Sequence, residues 1–358
     1  MTYPSGPHGY GYAPPPPPPK PGVIPLAPLS FSQILTGAFS TFGRYWKPLL
    51  GVAVTAYAAA TLLVGGAMLL AWTTVADHVD RLTHLPSQQE PDFADIQPLL
   101  VAFGCVWLAG VTGLILASGL VYAAAPAVAQ EAVLGRPLGF GTVWRRAWSR
   151  LGSVLASVFL TMLASFVPMV LCMVGLGFLM TSVFMGVAAS ERGGGDNGSG
   201  LAVIGVLIFL GALATAPLAL WLWVKFSLAP SVAVIEGLGA TASMRRSSHL
   251  VRGSWWRIFG CMLAAGVIVA VVSWAIQQVF SVLAMFPMSA VDTDAGTSAG
   301  EIIGTLSGTM AVLFVGTIAS QAVLAPLQPL VSALLYVDQR IRKENLAPVL
   351  AQAATSGP

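Results

Sequence analysis

Any chemistry in this sequence must come from a few polar side chains set in a long apolar chain. The stretch DHVDRLTH places Asp77, His78, Asp80 and His84 within eight residues, and imidazoles beside carboxylates are a donor set for a transition-metal ion. The spacing argues against that use, because His78 and His84 are six residues apart and lie off the i, i+4 face on which two helical ligands converge. His8 and His249 have no comparable neighbours. Cys105, Cys172 and Cys261 each sit inside an apolar run, with neither a disulfide framework nor a metal spacing, and read as small core residues. No phosphate loop, dinucleotide fingerprint, nucleophile elbow or zinc-protease helix occurs in a fitting context. The expectation is therefore no catalytic residue, no metal, no cofactor and no nucleic-acid partner.

Three other polar sets remain. Glu131 and Glu236 follow Pro126 and Pro230 by five and six residues; they could face a vestibule or pair with nearby arginines. Gln277, Gln278 and Gln321 are the most polar side chains within the apolar runs, and Lys225 precedes Pro230 by five residues as Gln321 precedes Pro326. Those four are candidates for an inward-facing polar layer, with interhelical hydrogen bonding as the other account and snorkelling of Lys225 to the interface as a third. Arg145, Arg146, Arg150, Arg245, Arg246, Arg252 and Arg257 form a basic set suited to anionic lipid headgroups, which attract each such charge by about 1 kcal/mol.

The elements that must position these residues follow from composition. The chain has 358 residues, 56% of them hydrophobic and only 9% charged, with a mean hydropathy of +0.79, which places it in a bilayer. Apolar runs at Leu49 to Trp72, Leu99 to Ala125, Leu151 to Ala189, Leu201 to Val224, Ile258 to Val291 and Ile302 to Leu335 each exceed the roughly 20 residues that a helix needs to cross. The sequence thus predicts an all-α polytopic membrane protein with six transmembrane helices. The third run carries Pro168 near its middle and is long enough for two short crossings, but splitting it would export Arg245 to Arg257. With six crossings, 15 of the 17 Lys and Arg residues fall on one side and only Arg81 and Arg192 on the other, so both termini are expected to be cytoplasmic. The domain reading is a Pro-rich disordered arm over 1–24, holding Pro14 to Pro19 and no secretory signal, a membrane domain over 25–346, and a disordered tail over 347–358.

A repeat organises the membrane domain. Ala125-Pro126, Ala229-Pro230 and Ala325-Pro326 are spaced by 104 and 96 residues, each near the end of a returning helix, where proline should kink or stop it; the three prolines are candidate hinges. The segment PLSFSQILTGAFSTF lies over PLGFGTVWRRAWSRL, so that Phe31, Ile34, Leu35, Ala38, Phe39 and Phe42 match Phe140, Val143, Trp144, Ala147, Trp148 and Leu151, one stripe of a helix. Ser30 with Gln33 predicts a capping box. A third copy from Gly239 has its Ala240, Met244 and Val251 stripe interrupted by Ser247. The unit is an interfacial helix, a crossing out and a crossing back, repeated three times about an axis normal to the membrane.

The lead-in PGVIPLAPLSFSQILTGAFSTF, the loop RRSSHLVRGSWWRIFG and the ending YVDQRIRKENL resemble the bacterial glycerophosphoryl diester phosphodiesterase membrane-domain family over about Ile24 to Leu346. The resemblance implies a six-helix integral membrane protein of the bacterial inner membrane. It does not carry phosphodiester hydrolysis, since no region of the roughly 200 or more residues of a catalytic barrel is left over. The expected function is a non-enzymatic scaffold or regulator that organises lipids, possible anionic lipids among them, or unknown membrane protein partners; the alternative is a transporter or channel along the pseudo-threefold axis. A scaffold predicts an axis packed with Ala, Gly, Leu and Val, and a transporter predicts a wet cavity lined by Gln277, Gln278 and Gln321.

Overall fold

The computed structural model describes residues 21–83, 93–191, 197–289 and 299–355. Among these residues every regular element is a helix. Five helices among the described residues are long and apolar enough to cross a membrane, and the protein is a multi-pass membrane protein.

The short helix α1 (Phe31–Arg44) starts at Ser30, whose hydroxyl accepts from the Gln33 amide at 3.2 Å while the Gln33 side chain accepts from the Ser30 amide at 2.8 Å. That is the expected reciprocal cap. Long helices α2 (Trp46–Thr83) and α3 (Phe93–Leu134) then pair as an antiparallel hairpin. Helix α4 (Phe140–Glu191) runs unbroken for 52 residues and pairs with α5 (Asn197–Phe226). After the short α6 (Ala229–Ile235) and α7 (Ala240–Val251), α8 (Trp255–Ser289) pairs with α9 (Ala299–Leu324). The chain closes with α10 (Leu327–Glu344) and α11 (Ala347–Thr355).

The three hairpins pack chiefly within themselves and meet at the end that carries the Ala-Pro pairs and most of the arginines. The midsections display large apolar side chains outward: Leu69, Leu70, Phe103 and Phe286 are all about two-thirds exposed or more, a surface that suits hydrocarbon and not water. The buried core lies instead at the basic end. It is built from Ala123 to Val133 of α3, all of α6 through Val234 and most of α10 from Leu327 to Ile341, with Val52, Val143, Val154 and Ile258 around them. Alanine dominates because small side chains let helix backbones approach closely. At Gly119 of α3 the approach is such that a Cβ would meet the side chain of Leu155 on α4.

Two expectations about the chain's ends change. Pro21 to Ile24, the end of the expected arm, packs onto the body: the Val23 amide donates to the Ala132 carbonyl at 3.1 Å, and Ile24 is buried, as is Leu29 of the membrane domain. The tail after Leu346 is helical through Thr355, and the Arg136 guanidinium reaches the Ala353 carbonyl at 2.9 Å. The six consecutive prolines, His8 and His84 lie outside the described residues.

The Ala-Pro pairs differ in what they do. Helices α5 and α9 end just before Ala229 and Ala325, and α6 and α10 restart beyond the break, whereas α3 passes through Pro126 to Leu134 without one. Alanines on both sides of Pro126 are the best helix formers and carry the helix across the missing amide donor. Ser227-Leu228 before Pro230, and a second proline at 329 after Pro326, give no such support.

The α3 end, α6 and α10 are each followed by a left-handed residue: Gly135 at φ 74°, Gly237 at φ 70° and Asn345 at φ 50°, the usual way to finish a helix. A side chain at position 237 would also crowd the Arg150 guanidinium, whose Nη1 donates to the Gly237 carbonyl at 2.9 Å. Gly237→Ala is therefore expected to lower stability by about 1–2 kcal/mol, read as a drop in unfolding temperature in detergent, while Gly177→Ala, with open space at its Cβ, changes it little.

Candidate functional site

Among the described residues most charged side chains gather at the basic end, and most of those are turned on each other. Glu131 accepts from Arg146 at 3.4 Å, and Gln130 takes the other nitrogen of the same guanidinium. Glu236 accepts from Arg246 Nε with both oxygens, at 3.1 and 3.2 Å, and from the Tyr336 hydroxyl at 2.7 Å. Arg246 also reaches Glu344 at 2.6 Å, which Arg340 holds at 2.8 Å. Burial works against the Arg246 charge, but the hydrogen bonds and charges of Glu236 and Glu344 outweigh it and hold its pKa above the ordinary guanidinium value. Of the two roles open to these glutamates, pairing with arginine is the one seen.

A third cluster surrounds Asp338, which is fully buried. Its carboxylate accepts from the Leu29 amide at 2.8 Å, from Arg257 at 3.1 Å and from Arg342 Nε at 3.0 Å. Both guanidiniums also donate to the Leu29 carbonyl. One acid and two arginines thus clamp the peptide that leads into α1 onto α8 and α10. Sequence analysis missed this residue. Its only local signal is the i, i+4 spacing of Asp338 and Arg342, since Leu29 is 309 positions away.

The seven candidate headgroup arginines therefore divide. Arg146, Arg150, Arg246 and Arg257 serve internal acids or carbonyls. Arg145, Arg245 and Arg252 are exposed and have no acidic partner among the described residues. Arg145 edges an open groove with Trp144, Trp148 and Ser149, on a helix whose Phe140, Trp144 and Trp148 rings stack in series at 5.8 and 6.1 Å. Aromatic rings beside a free arginine suit a headgroup interface.

The candidate polar layer is not brought together. Gln277 is half-buried and donates to the Thr317 hydroxyl at 2.9 Å within its own hairpin, whereas Gln278 and Gln321 are exposed. Lys225 belongs to another hairpin, with its ammonium 4.3 Å over the Trp221 ring. Asp77, His78 and Asp80 stand on α2, and no group of three or more potential metal ligands occurs among the described residues. Pro126, Pro230 and Pro326 all lie in or beside the buried core, and Pro230 also borders a cavity of about 400 Å³ lined by Tyr122, Trp223, Met262 and Gln328. Neither that cavity nor its lining was legible in the sequence, because it forms where six helices from different parts of the chain meet.

A family described as a domain of unknown function, DUF7847, matches residues 26–339, and the chain belongs to it. No curated protein and no solved structure matches the chain.

Proposed function

We propose that this member of the DUF7847 family is a non-enzymatic scaffold or regulator of the bacterial inner membrane, crossing six times with both termini in the cytoplasm. The observation that carries this reading is the packed, largely apolar knot at the basic end, where the α3 end, α6 and α10 fill the centre chiefly with Ala, Val and Leu. Its one buried side-chain pair between α6 and α10, the Ser231 and Ser332 hydroxyls at 2.9 Å, is internally satisfied. A closed centre leaves the exposed arginines of the rim, Arg145, Arg245 and Arg252, to engage headgroups or partner proteins. A transporter would need Gln277, Gln278 and Gln321 to line one enclosed wet path, whereas all three belong to the α8–α9 hairpin and Gln278 and Gln321 are exposed.

A threefold repeat is supported by burial. Ile34, Val143 and Ser243 are buried, as are Ala38, Ala147 and Ser247, while Phe39 and Trp148 face outward. The serine that interrupts the third stripe keeps the face closed by donating to the Lys225 carbonyl at 2.9 Å. Glu131 and Glu236 each hold an arginine of the interfacial segment that follows, and Asp338 holds the lead-in to α1, which joins the third unit back to the first.

Two measurements test the proposal. Single cysteines at Ser87, Asn197 and Thr297 in a cysteine-free background should react with an impermeant thiol reagent in whole cells, and those at Thr142 and Ser248 should not. A reversed pattern at Asn197 and Ser248 would mean that α4 and its run cross twice. Sealed vesicles carrying the protein should show no ion or solute flux above empty vesicles; saturable flux would replace the scaffold with a transporter.

A further inference from the structure

The cavity beside Pro230 is lined by Val158, Thr161, Met162 and Phe166 of α4, Trp223, Phe226 and Ser227 at the end of α5, Met262 of α8, Tyr122 of α3 and Gln328 of α10. The α5–α6 break forms its floor, since Pro230 has no amide to return to the Phe226 carbonyl. Its size, about 400 Å³, falls in the range of ligand pockets.

An apolar space of this size has to be filled. The cleft is open to its surroundings, and water needs two to four polar partners each, whereas this wall is mostly Val, Met, Phe and Trp. Yet two polar residues, Tyr122 and Gln328, belong to its lining, and neither the Tyr122 hydroxyl nor the Gln328 amide makes a hydrogen bond with another described residue. At its edge is Lys225. Its ammonium lies 4.3 Å over the Trp221 ring and 5.8 Å from the centre of the Phe226 ring, a wall residue, and no carboxylate among the described residues neutralises it. An apolar slot, then hydrogen-bonding groups, then an uncompensated cation is the order of parts in one membrane lipid: acyl chain, ester carbonyls, phosphate.

From this we infer that the cleft binds one anionic glycerophospholipid, with an acyl chain in the cavity, its ester region at Tyr122 and Gln328, and its phosphate at Lys225. The site rests on the membrane orientation proposed above, with the cavity at the level of the inner leaflet, and gives the scaffold reading a definite lipid. It is separate from the rim arginines, which meet headgroups of the bulk bilayer.

The test uses the full chain in detergent, delipidated and then given phosphatidylglycerol or phosphatidylcholine, with retained lipid counted by native mass spectrometry. The expected result is one phosphatidylglycerol per chain, retained about fivefold better than phosphatidylcholine, the ratio that one basic group near a headgroup supplies. Lys225→Gln should erase the preference and Lys225→Arg should keep it. Met162→Trp fills the mouth from an exposed rim position and should lower retention of both lipids. The pair Tyr122→Phe with Gln328→Leu should lower retention while leaving the unfolding temperature of the delipidated protein unchanged, which separates a lost ligand from a lost fold. Failure of the native chain to retain either lipid, a preference that survives Lys225→Gln, or full retention in Met162→Trp would each overturn the site. Because retention is measured without a sealed compartment, these outcomes are independent of the flux assay, and either proposal can fail alone.

Discussion

Asp338→Ala is expected to cost about 3–5 kcal/mol, the range for removing one partner of a buried ion pair, and to leave a protein that aggregates in detergent where the native chain stays monodisperse. The reason is the company the carboxylate keeps. Arg257 and Arg342, both about one-third exposed, converge on it and on the Leu29 carbonyl, so deleting the acid leaves two guanidiniums facing each other with no counter-charge. The Leu29 amide loses its acceptor in the same step, and Leu29 itself is fully buried. Asp338→Asn keeps an oxygen for that amide and should lose less, while Arg342→Lys, which retains a charge but not the planar two-point grip, should lose least. Limited proteolysis gives an independent readout, with cleavage appearing between Pro21 and Ser30 as the lead-in detaches. Native-like stability of Asp338→Ala would mean that the clamp only decorates contacts already sufficient without it.

How much of this was open to a reader of the sequence depends on how far apart the interacting groups lie along the chain. The apolar runs fall on the long helices, and the start of α1 was set by Ser30 and Gln33, three residues apart. The stripes of α1 and of the first turns of α4 followed from helical spacing alone. The acids that follow Pro126 and Pro230 were within 15 and 10 residues of the arginines that take them, so their pairing could be named as one of two options. Asp338 showed only its i, i+4 spacing to Arg342, because its other partners lie 309 and 81 residues away and nothing periodic links them. The arginines look alike in the sequence, yet Arg145 is free and Arg146 is engaged; one residue on a helix turns a side chain by about 100°, and only the packed neighbour decides which of the two meets an acid. The hinge reading treated three Ala-Pro pairs as equal, and the flanking alanines at Pro126 made the difference.

The second large effect should come from the alanines themselves. Ala129 of α3 is fully buried, in a run where Ala123, Ala124, Ala125, Ala127 and Val128 are buried as well, and α3 packs against α4, α6 and α10. No face of the helix is free at that level, so the additional carbons of Ala129→Leu have no direction in which to relax. Overpacking of a closed core costs about 1–3 kcal/mol, and here it would act on the junction of all three hairpins, so loss of cooperative unfolding should accompany the loss of stability. Ala58→Leu on the exposed face of α2 supplies the control, adding the same volume toward lipid with little effect on the unfolding temperature in detergent. The pair of variants also tests the closed centre on which the scaffold reading depends. If Ala129→Leu is tolerated as well as Ala58→Leu, the basic end has room at its middle, and a path along the axis would again have to be considered in place of a packed knot.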